Sequence, residues 1–114
     1  MEGIVYNELR YHGFSVDVGV VEKRSRNAQG RINTSQLEID FVANKGSERF
    51  YIQSSFSIPD KGKELQEKQS FMNVKDSFKK IIIVKDNIKP SRDENGILTI
   101  GLFSFLLDQN SLYI

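Results

Sequence analysis

The chain has 114 residues, of which 16 are basic and 15 acidic, giving a formal net charge of +1, and it contains no cysteine. This length suits a single domain with its own core, and the lack of cysteine excludes disulfides, thiol nucleophiles and thiolate metal sites, which favours a reducing cytoplasm. The small net charge excludes a bulk electrostatic attraction to nucleic acid or anionic lipid, and no segment reaches the run of about eighteen apolar residues typical of a membrane span.

The first element is a predicted helix over residues 2–12. A helical period places five residues on one side: Ile4, Val5, Glu8, Leu9 and His12. Glu8 lies in the middle of this side, where a carboxylate needs a cationic partner, a metal ion or a proton, because an unpaired buried charge is costly. Gly13 is a typical residue just after a helix end. The helical pattern begins without any leader, so we expect the chain to be a fragment of a longer protein.

A strand and a long polar arm follow the helix. Apolar residues alternate with polar or small ones from Phe14 to Val20, which predicts a half-buried strand. Residues 23–36 contain almost nothing to bury and are predicted to form a long, mobile hairpin arm. Four cations lie in it: Lys23, Arg24, Arg26 and Arg31. They are candidates for binding nucleic-acid phosphates, with the alternative that they are simply solvated.

Residues 37–55 predict a central hairpin, because period-two alternation occurs on both sides of a short break that contains glycine. A two-residue turn at Gly46 and Ser47 would fix the register. It pairs Lys45 with Glu48, Asp40 with Gln53, and Glu38 with Ser55. The side chains of Glu38, Asp40, Gln53 and Ser55 would then share one face. The other face is apolar and is predicted to be the core, with Leu37, Ile39, Phe41, Ala43, Phe50 and Ile52.

The second half of the chain predicts a helix and two strands. Residues 61–75 have a thin apolar stripe, expected to lie on the sheet, made of Leu65, Gln69 and Met72. The uninterrupted run of residues 81–84 is β-branched, which is typical of a central parallel strand covered on both faces. Residues 89–96 are dense in turn formers and predict an exposed loop. A short strand follows over residues 97–100, and Phe103, Leu106 and Leu107 suit a terminal helix turn. The fold class is therefore α/β or α+β, with a mixed sheet flanked by helices.

This order of elements resembles the restriction-endonuclease-like superfamily, named for its PD-(D/E)XK motif. Three strings, at residues 4–9 with Gly13 and Phe14 after them, at residues 38–43 and at residues 51–53, look like the C-terminal domain of uncharacterised function found in many bacterial and archaeal AAA-type ATPases. The resemblance implies an αβββαβ core, residues 1–114 as one nuclease-like domain, and the ATPase core of a parent chain as a partner.

In active relatives, the resemblance implies hydrolysis of phosphodiester bonds assisted by Mg²⁺ or Mn²⁺. Carboxylate oxygens suit these hard cations, which polarise the phosphoryl group and help to generate hydroxide. Carried over to this chain, Glu8 takes the helix position and Asp40 the strand position of the metal ligands. Gln53 takes the position of the third acid, and Ser55 takes that of the lysine.

Gln53 and Ser55 depart from the family pattern, since the first removes a negative charge from the metal site and the second removes the positive group. We therefore expect a degenerate domain that does not cleave and serves contact with protein or DNA. The alternative is an active Mg²⁺- or Mn²⁺-dependent DNA nuclease, in which Glu38 supplies the missing carboxylate and a lysine such as Lys85 enters the site. A third option is a scaffold that binds neither metal nor nucleic acid.

Each acidic residue also has an ordinary structural interpretation. Glu8 and Asp40 could form ion pairs with Arg10, His12 or nearby lysines, and Asp40 with Gln53 could be the solvated face of a hairpin. No Gly-x-x-x-x-Gly-Lys string occurs, so this chain is not itself an ATP-binding domain of the phosphate-loop type.

Overall fold

The computed structural model describes residues 1–55, 68–108 and 110–113. Helix α1 (Glu2–Tyr11) comes first, followed by three long strands, β1 (Ser15–Arg26), β2 (Ile32–Lys45) and β3 (Glu48–Ser55). After the helical residues 68–72 come β4 (Lys79–Val84), β5 (Ser91–Arg92) and β6 (Leu98–Gly101). Helix α2 (Leu102–Leu107) and a 3₁₀ turn (Ser111–Tyr113) end the described chain.

The six strands form one mixed sheet in the order β1-β2-β3-β4-β6-β5. Strands β1, β2 and β3 are successive antiparallel neighbours, β3, β4 and β6 are parallel, and β5 is antiparallel to β6. Lys45 pairs with Glu48 across the turn, as the sequence predicts. The structure confirms an α+β fold with a mixed sheet flanked by helices.

Both faces of the sheet are covered by apolar residues. The face under α1 and α2, here the α1 face, buries Val5, Leu9, Phe14, Phe41, Ala43, Phe50, Ile52, Ile81, Ile83, Leu98, Ile100, Leu102, Phe105 and Leu112. The opposite face, here the Phe71 face, buries Ile39, Tyr51, Phe71, Ile82, Val84 and Ile97. Strand β4 therefore contributes alternate residues to both clusters, and its predicted place as a buried parallel strand is confirmed.

A β-bulge interrupts the pairing of β1 with β2. Asp17 pairs with Val42 but Gly19 pairs with Ile39, so the single residue Val18 stands opposite two residues of β2. A bulge of this kind reverses the alternation of side chains along the strand that carries the extra residue. The prediction that Ile39 and Phe41 share one apolar face is therefore wrong, because Ile39 packs on the Phe71 face and Phe41 on the α1 face.

The apolar stripe predicted for residues 61–75 is also wrong in the part that the structure describes. Met72 is 64% exposed, whereas its neighbour Phe71 is only 1% exposed and fills the core of its face. The larger aromatic ring takes the buried position, and Leu65 lies outside the described residues.

Two predicted loops contain regular structure. The long hairpin arm is present, but β1 continues to Arg26 and β2 begins at Ile32, so it is a two-stranded ribbon joined by a short turn. The connection over residues 89–96 is mainly exposed and includes the two-residue strand β5. Among the described residues, no helix is long and apolar enough to cross a membrane.

Candidate functional site

The side chain of Gln53 bridges the gap where β2 and β3 stop pairing. The last backbone pair between these strands joins Phe41 to Ile52. Beyond it, Gln53 Nε2 donates to the carbonyl oxygen of Glu38 at 3.1 Å, and Gln53 Oε1 accepts the backbone N–H of Asp40 at 2.8 Å. Because the amide uses one N–H donor and its carbonyl acceptor in the same plane, it takes the place of a peptide group in the interrupted ladder. Gln53 is only 6% exposed, so its amide group is largely shielded from water.

Asp40 reaches past Gln53 to the next residue of β3. Its Oδ2 atom accepts the backbone N–H of Ser54 at 2.9 Å and the Ser54 hydroxyl at 3.3 Å. Ser54 alternates with Ile52 along β3, so its side chain is on the α1 face. The bulge at Asp40 and Phe41 explains this contact, since it turns Asp40 away from the position that regular alternation would give it.

Glu8 has a partner at the C-terminal end of its own helix. The ring Nε2 of His12 lies 2.9 Å from Glu8 Oε1, one helical turn further on, and both side chains are largely covered. The pairing with His12 that the sequence offered as an alternative is therefore formed. Helix α1 packs on the sheet face that carries the Ser54 side chain, so the helix that holds Glu8 and the carboxylate of Asp40 lie on the same side of the sheet. The two carboxylates nevertheless have separate partners.

The remaining predicted site residues have different surroundings. Glu38 is an exposed residue of β2 whose backbone carbonyl receives the Gln53 amide. Ser55 is the last residue of β3, pairs with Val84, and accepts the backbone N–H of Lys85 at 3.0 Å through its carbonyl oxygen. The hydrogen bonds of the Gln53 side chain thus connect β3 to β2 at Asp40, and Ser55 lies two residues further on, at the end of β3.

The donor set at this site fits a divalent cation poorly. Mg²⁺ requires several oxygen ligands in an octahedron, but Gln53 Oε1 already accepts the Asp40 N–H and Asp40 Oδ2 already accepts two bonds from Ser54. Glu8 is engaged by His12. Within residues 1–55, 68–108 and 110–113, no cluster of three or more His, Cys, Asp or Glu side chains has an arrangement that could hold a metal ion.

The basic residues of the hairpin arm lie away from the Gln53 side chain that connects β2 with β3. Lys23, Arg24 and Arg26 lie within the last four residues of β1, and Arg31 closes the turn before β2. Three of these four side chains are exposed, and Lys23 is half-buried.

Sequence reasoning missed two polar contributors. Ser54 is the hydrogen-bond partner of Asp40, but regular alternation places its side chain on the face opposite to that of Gln53. Because a glycine within a strand indicates a bulge, Gly19 is the one sequence signal that could have pointed to this contact. Tyr51, on the Phe71 face, donates its hydroxyl to Asp76 Oδ2 at 2.5 Å. Burial raises the pKa of Tyr51, and the hydrogen bond to Asp76 raises it further, so the phenol stays protonated.

No protein-family model matches this chain. An uncharacterised protein of Haemophilus influenzae is 36% identical over 107 residues, which are 94% of this chain and 22% of that protein. The crystal structure of a protein of unknown function, AF1548, is similar with a TM-score of 0.55 and 25% sequence identity, and the match covers 91% of this chain and 57% of that one. The chain therefore spans less than a quarter of the first relative and little more than half of the second.

Proposed function

We propose that this chain is a non-catalytic domain of restriction-endonuclease-like type, belonging to an AAA-type ATPase and serving contact with protein or DNA. The observation that carries the proposal is the use of Gln53. At the position where active relatives place a metal-binding carboxylate, this chain has an amide whose donor and acceptor both join β2 to β3.

The amide is chemically suited to that structural role and a carboxylate is not. An ionised glutamate would accept the Asp40 N–H but could donate nothing to the Glu38 carbonyl, and it would bring two acceptors together. The exchange of acid for amide therefore removes a metal ligand and supplies a hydrogen bond to the sheet. Ser55, in the position of the catalytic lysine, likewise offers no positive charge.

Two observations support the ATPase context. The three strings that carry the resemblance lie in their expected elements, with residues 4–9 in α1, residues 38–43 in β2 and residues 51–53 in β3. In addition, the relative from Haemophilus influenzae extends well beyond the part that matches this chain. A complete reading frame with a phosphate-binding loop upstream of this domain would agree with the proposal, and a frame without one would remove the ATPase from it.

A cleavage assay tests the loss of catalysis. The domain is incubated with single- and double-stranded DNA and RNA in Mg²⁺ and in Mn²⁺, beside Asp40→Ala. We expect no cleavage by either protein. Cleavage by the native domain that Asp40→Ala abolishes would overturn the proposal in favour of a metal-dependent nuclease.

Calorimetric titration with Mn²⁺ gives a second, independent measurement. Because the side-chain oxygens of Gln53 and Asp40 already accept hydrogen bonds within the protein, we expect no saturable binding of Mn²⁺ in the millimolar range or tighter. Saturable binding that is lost in both Glu8→Ala and Asp40→Ala would show that the two acids share a metal ion, and it would contradict the non-catalytic assignment.

A further inference from the structure

The ribbon formed by the ends of β1 and β2 carries a charge out of proportion to the rest of the chain. Residues 22–36 contain four basic residues and one acidic residue, a net charge of +3, whereas the whole chain has a net charge of +1. The remainder is therefore net negative. Because nucleic-acid binding depends on local positive charge, the near-neutral total hides a basic surface on this ribbon.

The cations of the ribbon are available to a partner. Arg24, Arg26 and Arg31 are exposed, and none of the ribbon's four basic side chains forms an ion pair with another residue in the part of the chain that the structure describes. Strand β2 pairs with β3 only from Phe41 to Lys45. Among the described strands, residues 32–36 therefore pair with β1 alone. The ribbon thus extends past the part of the sheet where β2 pairs with β3, and its basic side chains form no ion pair among the described residues.

The register fixes how these charges are distributed. Five residue pairs run from Glu22 with Gln36 to Arg26 with Ile32. Arg24 and Arg26 alternate with Lys23, so the two arginines share one face of the ribbon, about 7 Å apart, and Lys23 is on the other. Along its axis this part of the ribbon is about 17 Å long at the usual rise per residue.

The tip is held in shape by one side chain. Asn27 Oδ1 accepts the backbone N–H groups of Gln29 at 3.0 Å and Arg31 at 2.9 Å, and Gly30 adopts a positive φ of 77° that closes the turn. Because these bonds order the backbone of the tip before any partner arrives, less conformational entropy is lost when the ribbon binds.

We propose that this ribbon binds duplex DNA by entering the major groove, with Arg24 and Arg26 on the phosphates of the groove wall. The major groove of B-form DNA is about 12 Å wide and admits a two-stranded β-ribbon, whereas the deep, narrow major groove of duplex RNA does not. The inference rests on the proposed function in that it names DNA as the partner of a domain that does not cleave it. With Lys23 and Arg31 on further phosphates the ribbon makes four phosphate contacts, which correspond to non-specific binding with dissociation constants of about 10⁻⁴ to 10⁻⁶ M at physiological salt.

Fluorescence anisotropy with a labelled duplex tests this proposal across a salt range of about 50 to 200 mM. The logarithm of the association constant should fall with the logarithm of salt with a slope between about −3 and −4, because each neutralised phosphate contributes about −0.9. The double variant Arg24→Gln with Arg26→Gln should weaken binding at least about tenfold at 0.1 M salt and reduce the magnitude of the slope by about 1.8. Arg24→Lys with Arg26→Lys should retain most of the binding.

The matched control removes the same charge elsewhere. Arg10 on α1 and Lys89 before β5 are exposed and lie outside the ribbon, so Arg10→Gln with Lys89→Gln should leave affinity and slope unchanged. Equal weakening by both double variants would overturn the proposal, since binding would then follow net charge. Equally tight binding of duplex RNA or polyglutamate would overturn it as well, by showing an indiscriminate or a protein-directed surface. These outcomes are independent of cleavage, so a failure here leaves the non-catalytic assignment standing.

Discussion

The backbone N–H of Asp40 donates to the side-chain oxygen of Gln53 at 2.8 Å, and this bond lies just past the last backbone pair of β2 and β3. The same amide donates to the carbonyl of Glu38 on the other side of Asp40. Strands β2 and β3 therefore separate without leaving these polar groups buried and unpaired, which would cost about 1–3 kcal/mol for each group. Gln53 is therefore a residue on which the joining of β2 to β3 depends.

Gln53→Glu tests this dependence. The carboxylate keeps an acceptor for Asp40 but leaves the Glu38 carbonyl without its donor, so we expect a loss of about 1–3 kcal/mol in the free energy of unfolding. Urea titration at pH 7 in the presence of a chelator measures the loss as a lower midpoint. Gln29→Glu, the same change at an exposed site of the turn, should stay within about 0.5 kcal/mol of the native protein. Equal midpoints for Gln53→Glu and the native protein would contradict the bridging role.

The bulge at Asp40 and Phe41 requires a glycine on the neighbouring strand. A Cβ atom added to Gly19 would lie 2.8 Å from Val42 Cγ2 and 3.1 Å from Ile39 Cβ. Gly19→Ala should therefore lower the free energy of unfolding by about 1–3 kcal/mol through overpacking. Gly3 on α1 meets no atom within 4 Å, so Gly3→Ala should be neutral or stabilise the helix by up to about 1 kcal/mol. If both alanine variants unfold at the native midpoint, the close approach of β1 to β2 at Gly19 is wrong.

The choice between Phe71 and Met72 as the buried residue is also testable. Phe71 is 1% exposed and Met72 is 64% exposed. Phe71→Ala should lower the free energy of unfolding by about 3–5 kcal/mol, because it leaves a cavity among Tyr51, Ile82 and Ile97. Met72→Ala should change it by no more than about 0.5 kcal/mol. The reverse order of these two losses in thermal or urea unfolding would restore the face predicted from the sequence.

Local patterns were enough to predict the elements that depend on neighbouring residues. The β-branched run of residues 81–84 predicts a strand buried on both faces, and β4 is that strand. Gly46 with Ser47 predicts the register of β2 on β3, and Lys45 pairs with Glu48 accordingly. In both cases the deciding signal, residue type or turn length, lies within a few positions of its consequence.

The candidate site could not be predicted in the same way, because its geometry depends on the fit between distant strands. Strict alternation would place Ile39 and Phe41 together, but the bulge opposite Val18 separates them and directs Asp40 to Ser54. The sequence singles out Gln53 only through a resemblance to a family, and the bonds of its side chain to β2 follow from the separation of two strands in space. The pairing of Glu8 with His12 depends on a spacing of four residues within the chain, so the sequence already offered it as an alternative to a metal site.

Asp93 gives a prediction for the dependence of stability on pH. Its Oδ2 atom lies 2.8 Å from Lys68 Nζ, and its Oδ1 atom accepts the backbone N–H groups of Asn95 and Ile97, both at 2.9 Å. Burial acts to raise the pKa of Asp93, but the bonds from Lys68, Ile97 and Asn95 outweigh it and hold that pKa below its ordinary value. The carboxylate therefore links the helical residues 68–72 to the turn before β6.

Because the pKa of Asp93 is lower in the folded state than in the unfolded chain, its stabilisation is complete above the unfolded pKa and is lost as pH falls through the folded one. Asp93→Asn should cost about 1–2 kcal/mol at pH 7, and its deficit relative to the native protein should shrink between about pH 5 and pH 2. Urea midpoints measured across this range check the prediction, with Glu94→Gln, an exposed acid of the same turn, as the control. A deficit that stays constant with pH would show that the charge of Asp93 is not what stabilises the turn.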